Sequence, residues 1–476
     1  MISIDQWSEH AVAQGVRVVV AGSNGRGARI RRGGQLGGVA ARHAVRVAAG
    51  AAAARFRTGE EIDSARDRAA LNLADDIVSV VGGMRGAAHK LGQVMAVIDV
   101  GITSRGVREE FARRLEPLFA ATPPWNERTM MRVLSDSLGS RRADIVDISG
   151  PIAAASIGQV YRGRLRDGRD VAVKVKYPDV DMMVRADFKN LALFSRMLAK
   201  YVPADNVEKL VDEVRRQILT ELDFHAECAS QREFAARFAG HPAFWVPDAV
   251  SELCTNGVLV TEFVDGMTFD EACSLDRASR DRIGEAVYRF YCAEMFASGR
   301  FSADPHPGNM IVVPDGRVAF LDFGLTVELS ASELDVERSV LAAILDGDFD
   351  EMHRAIVESG FITDPQALTQ QQLVDYVLAA VGWHVVDGHR TITATVARRA
   401  ATAALSPAGG HIGNMGRQSM VEGHGFGRRN ELATVALLGR LNATGPWSDI
   451  AREALGLAGP ATPMGTSIEE WRRTQS

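Results

Sequence analysis

Residues 303–325 read ADPHPGNMIVVPDGRVAFLDFGL, a succession of polar loop, apolar run, turn, apolar run and polar triplet. The apolar runs 310–313 and 318–321 flank Pro314-Asp315-Gly316, residues that are typical of a tight turn. Short apolar runs bounded by turn residues predict β-strands. This stretch therefore predicts two short strands joined by a turn, with polar residues before and after them.

The polar residues at the two ends of this stretch are of chemical interest. Asp304 and Asn309 stand five residues apart in a loop that two prolines stiffen, which suits side chains that must be held in position. Asp322 opens an Asp-Phe-Gly triplet thirteen residues after Asn309. A lone triplet of this kind arises often by chance, so the informative feature is its spacing from Asp304 and Asn309.

Further strands and long helical patterns lie on either side. The runs 157–165 and 171–175 predict a β-hairpin, and 257–264 predicts another strand. Helical patterns dominate 61–142, the region from the hairpin to about residue 239, and the chain beyond residue 329, where a glycine-rich loop at 409–427 interrupts them. The sequence therefore predicts an α+β fold.

The composition is that of an ordinary globular protein. Of 476 residues, 46% are hydrophobic and 24% are charged, which excludes global disorder and collagen-like repetition and suits two to four domains. The four cysteines form no CxxC pair, so neither a zinc site nor a disulfide framework is predicted. No apolar run approaches the ~18 residues of a membrane-spanning helix. We therefore expect a cytoplasmic protein.

Basic residues are unevenly distributed along the chain. Residues 1–60 carry nine arginines and three acidic residues, whereas the whole chain has a net charge of -6. A basic arm on an acidic body predicts contact with an anionic membrane surface, or else a solvated helix face. Nucleic acid is not an expected partner, because no aromatic residue lies among the glycines and arginines of residues 22–38.

Lysine is rare in this chain, which gives each lysine added weight. Only six of the 54 basic residues are lysines, and one of them, Lys174, follows the apolar residues Val171-Ala172-Val173 in a predicted strand. The compact ammonium of lysine is not equivalent to the planar fork of arginine. Taken alone, Lys174 is equally typical of a strand lysine whose head reaches solvent.

The order Lys174, Asp304, Asn309, Asp322 matches the phosphoryl-transfer layout of protein kinases. In that layout the first aspartate positions the acceptor hydroxyl, Asn and the Asp of the Asp-Phe-Gly triplet bind Mg²⁺, and lysine contacts the phosphates of ATP. Asn309 and Asp322 carry the hard oxygen ligands that Mg²⁺ prefers. His306 stands where conventional kinases have a lysine, and it either contacts phosphate or only hydrogen-bonds within the loop.

Three more motifs resemble one branch of the kinases. Residues 153–160 read AAASIGQV where a kinase has its glycine-rich phosphate loop, with alanine at the first two glycine positions. Lys90-Leu91-Gly92-Gln93 lies upstream, and Glu221-Leu222-Asp223 lies downstream. With the loop DPHPGN at 304–309, these motifs resemble the UbiB family of atypical kinases (aarF domain-containing kinases), whose marks are KxGQ, an alanine-rich loop, ExD and a DPHPGN-type loop. The resemblance runs from about residue 84 to residue 325.

The resemblance implies a role for each matched residue. Lys174 contacts the phosphates and pairs with Glu227, Asp304 takes the catalytic-base position, and Asn309 and Asp322 bind Mg²⁺. The nucleotide-binding positions are the phosphate loop and two backbone positions for adenine at a strand end, namely Ala153, Ala154, Ala155, Ser156, Gly158, Val160, Glu262 and Val264. The regulatory positions are those of the KxGQ and ExD motifs, namely Lys90, Gly92, Gln93, Glu221 and Asp223, with Lys90 meeting the two acids.

Two physical arguments accompany these roles. The i, i+4 spacing of Asp223 and Glu227 places both on one face of a predicted helix, although an ordinary solvated acidic helix has the same pattern. Alanine at 153 and 155 disfavours positive φ and keeps the backbone from approaching the phosphates closely. We therefore hypothesise that this loop binds phosphate differently from the loop of a standard kinase.

The implied architecture is a bilobal protein-kinase-like fold with an N-terminal helical extension that carries the KxGQ motif. The predicted boundaries are 1–60 for a basic arm and helix, 61–149 for the extension, 150–265 for the N-lobe, 266–460 for the C-lobe and 461–476 for a tail.

The implied function is Mg²⁺-dependent ATP binding and hydrolysis, with transfer to water or to a small or lipid acceptor. The resemblance links this activity to isoprenoid lipid and quinone biosynthesis at membranes, so the expected partners are ATP, ADP, Mg²⁺ and an isoprenoid lipid or anionic surface met peripherally on the inner face. Two alternatives are a small-molecule phosphotransferase and a nucleotide-gated lipid-binding scaffold with negligible catalysis.

Overall fold

The structure of the protein is a computed structural model. The residues that it describes are 67–68, 71–78, 105–115, 125–155, 157–185, 215–216, 218–360, 362, 369–405 and 422–475. The chain divides into two compact units, one formed by 1–124 with 179–218 and the other by 125–178 with 219–476.

In the first unit, the described part of the predicted extension is helical. Residues 71–78 form one helical segment and α1 (Arg105–Leu115) another. Arg114 of α1 joins them, because its guanidinium lies 2.6 Å from the Asp75 carboxylate and donates to the carbonyl oxygen of Leu71 at 3.4 Å. The predicted basic arm 1–60 lies outside the described residues, as do the KxGQ residues Lys90, Gly92 and Gln93.

The second unit contains the remaining elements. Its strands are β1 (Ile145–Ala154), β2 (Gly158–Leu165), β3 (Asp170–Lys176), β4 (Phe244–Trp245), β5 (Val258–Glu262), β6 (Met267–Thr268), β7 (Arg300–Ser302), β8 (Met310–Val312), β9 (Val318–Phe320), β10 (Thr326–Glu328), β11 (Arg390–Thr391) and β12 (Thr444–Gly445). Its helices are α2 (Glu127–Leu138), α3 (Phe224–Arg237), α4 (Phe269–Ala272), α5 (Arg277–Tyr288), α6 (Glu294–Ser298), α7 (Ala331–Asp346), α8 (Phe349–Glu358), α9 (Gln370–Val385), α10 (Ala394–Leu405), α11 (Glu422–Leu441), α12 (Trp447–Ala454) and α13 (Pro463–Gln475).

The first sheet is antiparallel, with strand order β1-β2-β3-β5. Alternate valines of β3, Val171, Val173 and Val175, are fully buried, as expected for a strand with one face in the core. The sheet begins at Ile145, five residues before the predicted N-lobe boundary at 150. The sequence analysis missed β1 because most of its residues are exposed, so it lacks the apolar alternation that indicates a strand.

A second sheet has the strand order β4-β9-β8-β6 and contains the two strands predicted at 310–313 and 318–321. Aromatic side chains pack around it. The ring of Phe290 stacks on that of Phe320 with 3.6 Å between centroids, and Phe244 meets both rings edge-on. Burial of such large apolar side chains is the main stabilising contribution in a core of this kind.

Two predictions at the C-terminal end were wrong. The glycine-rich loop predicted at 409–427 is helical from Glu422, where α11 begins; residues 406–421 lie outside the described residues. The predicted tail, 461–476, contains α13, whose Ile468 is buried in the same core as Phe244. Single apolar residues such as Ile468 among polar neighbours give too weak a periodic signal to indicate a packed helix.

His241 lies at the contact between this core and α13. It is 1% exposed, stacks on Phe244 with 4.0 Å between ring centroids and meets Trp471 of α13 edge-on. Its Nδ1 accepts hydrogen bonds from the backbone N–H groups of Ala243 and Phe244 at 3.2 and 3.0 Å. Burial, together with the positive charges of nearby arginines, lowers the pKa of His241 to about 3.

We expect this neutral histidine to make the protein sensitive to acid. Below pH 6.5, His241 is protonated in the unfolded chain but stays neutral in the folded chain. The free energy of unfolding therefore falls by ~1.4 kcal/mol per pH unit down to pH 3. Asparagine can place its Oδ1 near the Nδ1 position but does not titrate. His241→Asn should therefore lessen the loss of stability between pH 7 and pH 5, measured by urea unfolding. The same replacement of the exposed His389 is the control, and an unchanged slope in His241→Asn would contradict the prediction.

Among the described helices, none combines the length and the apolar composition that a bilayer crossing requires.

Candidate active site

Strand pairing brings the Asp304 loop and the Asp-Phe-Gly triplet side by side. β7, which leads into Asp304, pairs antiparallel with β10, which follows Gly324. On the other side, β8 follows Asn309 and pairs antiparallel with β9, which precedes Asp322. The Leu321 N–H also donates to the Asn309 carbonyl oxygen at 3.0 Å. Two pairs of hydrogen-bonded strands thus fix the loop and the triplet against each other.

The Asp304–Asn309 loop is braced by its own hydrogen bonds. The Asn309 N–H donates to the His306 carbonyl oxygen at 3.0 Å, and the Asn309 Nδ2 donates to the Asp304 carbonyl oxygen at 3.5 Å. The Nδ1 of His306 accepts from the Gly308 N–H at 3.1 Å, so at this nitrogen the exposed imidazole carries no proton. Of the two roles considered for His306, hydrogen bonding within the loop is therefore present.

The Asp-Phe-Gly triplet packs against the carboxylate of Glu227. The Asp322 Oδ1 accepts from the Gly324 N–H at 2.9 Å. A Cβ atom added to Gly324 would lie 3.2 Å from that oxygen and 3.7 Å from the Glu227 Oε2. The carboxylates of Asp322 and Glu227 therefore both lie close to Gly324. Phe323 is buried, with its ring centroid 4.8 Å from that of Phe234 on α3.

Lys174 and Glu227 form an ion pair beneath this triplet. The Lys174 Nζ donates to Oε1 and Oε2 of Glu227 at 2.7 and 3.0 Å, joining β3 to α3 across 53 residues of sequence. The Glu227 side chain is 2% exposed and that of Lys174 is 21% exposed. The ammonium is thus held by a buried partner, while part of the Lys174 side chain remains exposed.

The charges around Lys174 keep it protonated. Burial lowers the pKa of Lys174, but the negative charges of Glu227, Asp322 and Glu221 outweigh it, so its pKa lies above the usual value. Burial raises the pKa of Glu227 to about 7, against the lowering effect of Lys174. The short contact to both carboxylate oxygens favours the ionised pair at neutral pH.

The predicted phosphate loop is a tight β-hairpin. Ala153 and Ala154 lie at the end of β1, paired with Val160 and Gln159, and the Ala155 N–H donates to the Gly158 carbonyl oxygen at 2.8 Å. A Cβ added to Gly158 would lie 2.4 Å from the Val175 carbonyl oxygen, so only glycine fits there. Two of the three alanines of the predicted phosphate loop therefore pair in the sheet. Ser156 lies outside the described residues.

At the end of β5, the predicted adenine-binding backbone is partly engaged. The Glu262 N–H donates to the Asp248 carbonyl oxygen at 2.9 Å, and the Phe263 N–H donates to that of Asp170 at 3.0 Å. A backbone contact with adenine would then be made by the Glu262 carbonyl oxygen or by Val264, which follows the strand.

The ExD acids have two different environments. Asp223 is the N-cap of α3, where its Oδ1 accepts from the N–H groups of His225 and Ala226 at 3.1 and 3.0 Å. Asp223 is exposed, whereas Glu227 is buried. Asp223 and Glu227 are one helical turn apart, since the Glu227 N–H donates to the Asp223 carbonyl oxygen at 3.0 Å, but only Glu227 is buried. Glu221 contributes negative charge at Lys174.

The sequence analysis did not find Arg429, which contacts the predicted catalytic base. Its guanidinium Nη2 lies 3.2 Å from the Asp304 Oδ1, across 125 residues of sequence. Arg429 belongs to α11, in the region just after the predicted glycine-rich loop. The one sequence signal that points toward it is the absence of any lysine after Lys209, which leaves arginine as the cation of the C-terminal half.

The oxygen atoms at the site fit Mg²⁺ bound together with phosphate. Within the described part of the chain, no three His, Cys, Asp or Glu side chains are grouped to hold a metal by themselves. Mg²⁺ at phosphoryl-transfer sites takes one or two protein ligands and completes its shell with phosphate and water. Asp322 supplies a carboxylate. Because the amide nitrogen of Asn309 is turned toward the Asp304 carbonyl, its amide oxygen faces away from that carbonyl.

Comparison with known proteins adds a family to this geometry. Residues 117–356 match the ABC1 atypical kinase-like domain. The rat mitochondrial atypical kinase COQ8B is 31% identical over 61% of this chain and 55% of its own length. The chloroplastic Arabidopsis thaliana protein named ACTIVITY OF BC1 COMPLEX KINASE 1 is 31% identical over 54% of this chain and 39% of its own length. The chain thus spans about half or less of these relatives.

A solved structure gives the same fold. The Mycobacterium tuberculosis protein Rv3197, solved as a complex with erythromycin, superposes with a TM-score of 0.59 and 25% sequence identity. The match covers 81% of this chain and 97% of that one.

Proposed function

Since this chain belongs to the ABC1 atypical kinase-like family, we propose that it binds ATP together with Mg²⁺ in the site described above and hydrolyses it. The membership inferred from the motifs is confirmed, and so is the kinase-like fold class. The observation that carries the proposal is the Lys174–Glu227 ion pair directly beside Asp322.

Each charged group has a definite task in this proposal. Lys174, kept protonated and oriented by Glu227, binds the anionic phosphates of ATP. Asn309 and Asp322 hold Mg²⁺, which when bound neutralises charge on the phosphoryl group being transferred. Asp304 orients the attacking water or hydroxyl and accepts its proton. The bond that forms joins this oxygen to the γ-phosphorus as the bond to ADP breaks.

The hairpin at residues 153–160 covers the phosphates from the other side. The turn closed by the Ala155–Gly158 hydrogen bond leads into β2, which pairs with the β3 strand that carries Lys174. Alanine in place of glycine limits how closely this backbone approaches the phosphates. We therefore retain the proposal that this loop binds the phosphates differently from the glycine-rich loop of standard kinases.

The acceptor and the cellular setting are further parts of the proposal. The UbiB resemblance points to ATP hydrolysis coupled to isoprenoid lipid or quinone biosynthesis, with peripheral contact to the inner face of a membrane. The KxGQ residues would regulate the site through Glu221 and Asp223. The basic arm would meet anionic headgroups.

The test is phosphate release from ATP by the purified full chain. We expect release that requires Mg²⁺, stops with a chelator and rises when liposomes carrying an isoprenoid lipid are added. Nucleotide binding without phosphate release would favour the nucleotide-gated scaffold. Phosphate appearing on an added small molecule rather than in water would favour the small-molecule phosphotransferase.

A further inference from the structure

The catalytic loop needs a cation that its own sequence does not supply. Protein kinases have a lysine two residues after the catalytic aspartate, whereas this chain has His306 there. The His306 Nδ1 accepts a hydrogen bond from the Gly308 N–H, so this nitrogen has no proton to donate. No lysine follows Lys209 in the sequence. A positive charge at Asp304 must therefore come from arginine elsewhere in the fold.

We propose that Arg429 is the positioning residue of the phosphoryl-transfer centre: its guanidinium fixes the Asp304 carboxylate and supplies the positive charge that a catalytic-loop lysine supplies in protein kinases. The inference rests on the proposed function. Its direct support is the 3.2 Å contact between the Arg429 Nη2 and the Asp304 Oδ1. Both side chains are partly open, at 34% and 24% exposure, so a nucleotide phosphate can reach them.

The neighbours of Arg429 on α11 show that its position is built into the core. Arg428 donates to the carboxylate of Glu337 at 2.9 Å and lies 2.8 Å from that of Glu431. Both carboxylates are buried, with 5% and 2% of their side chains exposed. Displacing Arg428, which is itself half-buried, would leave two buried carboxylates without this partner, so Arg428 fixes this turn of the helix.

Asn430 also holds this part of α11 in place, through a hydrogen bond to the buried core. Its Nδ2 donates to the carbonyl oxygen of Tyr291, a buried residue of the helical segment Arg289–Ala293. Burial raises the pKa of Tyr291 well above its usual value, and the negative charges of Asp304 and Asp322 contribute to this rise. Residues on either side of Arg429 are thus pinned, and its side chain is directed at Asp304.

The geometry also explains why arginine suits this place. A guanidinium presents several N–H donors in a fixed plane, so it can hold a carboxylate with one donor and leave others for a phosphoryl oxygen. The positive charge of Arg429 also reduces the repulsion between the Asp304 carboxylate and the anionic triphosphate. Holding the carboxylate fixed matters for rate, because small displacements of a catalytic group cost about 10²-fold.

The test compares Arg429→Gln, Arg429→Lys and the control Arg440→Gln. Arg440 lies on the same helix and pairs with the exposed Asp270 instead of Asp304. We expect Arg429→Gln to lower kcat about 10²-fold while ADP affinity stays within about twofold, Arg429→Lys to keep an intermediate kcat, and Arg440→Gln to keep the wild-type kcat. In an Asp304→Asn background, Arg429→Gln should cause little additional loss.

The outcomes separate this inference from the proposed function. Absence of Mg²⁺-dependent turnover in the wild type would overturn the proposed function and the inference with it. Wild-type turnover with an Arg429→Gln variant that keeps at least about half of kcat would overturn the inference alone. Equal losses in Arg429→Gln and Arg429→Lys, matched by equal losses of thermal stability, would assign Arg429 a structural role instead.

Discussion

Replacing Asp322 with asparagine is expected to lower Mg²⁺-dependent ATP turnover by about 10³-fold or more while the fold stays intact. A neutral amide cannot offset the charge of a divalent cation, and such charge stabilisation is worth several kcal/mol in the transition state. Asparagine keeps an oxygen where the Asp322 Oδ1 accepts from the Gly324 N–H, so the local turn is preserved. The measurements are the rate of phosphate release against Mg²⁺ concentration and the thermal midpoint.

The chain offers a closely matched control for this variant. The Asp315 Oδ1 accepts from the Arg317 N–H at 3.0 Å, the same i to i+2 bond that Asp322 makes, but in the exposed turn between β8 and β9. Asp315→Asn should therefore keep wild-type turnover. If Asp322→Asn kept more than about a tenth of wild-type turnover at saturating Mg²⁺, its assignment as a metal ligand would be wrong.

Removing the charge of Lys174 is expected to affect both nucleotide binding and stability. Lys174→Met should abolish measurable ADP binding, because the cation that meets the phosphates is gone. It also leaves Glu227 buried without a partner, and breaking a buried ion pair from one side costs ~3–5 kcal/mol. Part of this loss is relieved when Glu227 takes up a proton.

Because Glu227 can take up a proton, the loss of stability in Lys174→Met depends on pH. Burial already raises the pKa of Glu227 to about 7, and without Lys174 it rises further. Between the usual value near 4.5 and the raised value, the folded state binds more protons than the unfolded state, so stability falls as pH rises. The deficit of Lys174→Met relative to wild type should be larger at pH 8 than at pH 6 in urea unfolding.

Two further variants separate binding from folding. Lys174→Met with Glu227→Leu should recover stability but not ADP binding, because the unpaired charge is gone and the phosphate cation is still missing. Lys176→Met is the control: Lys176 is also buried in β3, but its ammonium donates to the Leu222 carbonyl and to Asn256. It should keep ADP affinity within about twofold. A pH-independent deficit in Lys174→Met would count against the ion pair as described.

Much of the fold was readable from local patterns. The strands β2, β3, β5, β8 and β9 lie where apolar runs and turn residues predict them. β1 was missed because it is an edge strand with mostly exposed residues, and α13 because few of its side chains are apolar. Periodicity reports burial of a whole face, so elements that bury little of themselves leave a weak signal.

Part of the candidate site could likewise be recognised from the sequence, and part could not. Asp304, Asn309 and Asp322 lie close in sequence and were recognisable from spacing, and strand pairing places them side by side. The phosphate loop stays a prediction, and its pairing as the end of a β-hairpin was not indicated by sequence because alanine is not typical of strands. The predictions for Lys90, Gly92, Gln93 and Ser156 stay predictions, since these residues lie outside the described part of the chain.

The amino-acid order thus fixed the chemical groups: one strand lysine, a proline-stiffened acidic loop and an Asp-Phe-Gly triplet, each defined by neighbours within a few residues. Only the tertiary structure determined which groups face one another. Lys174 meets Glu227 across 53 residues and Asp304 meets Arg429 across 125, and the geometry of both contacts depends on how β3 packs on α3 and how α11 packs on the core. Local patterns reflect hydrogen bonding and burial along one element, whereas contacts at such separations are set by the packing of several elements at once.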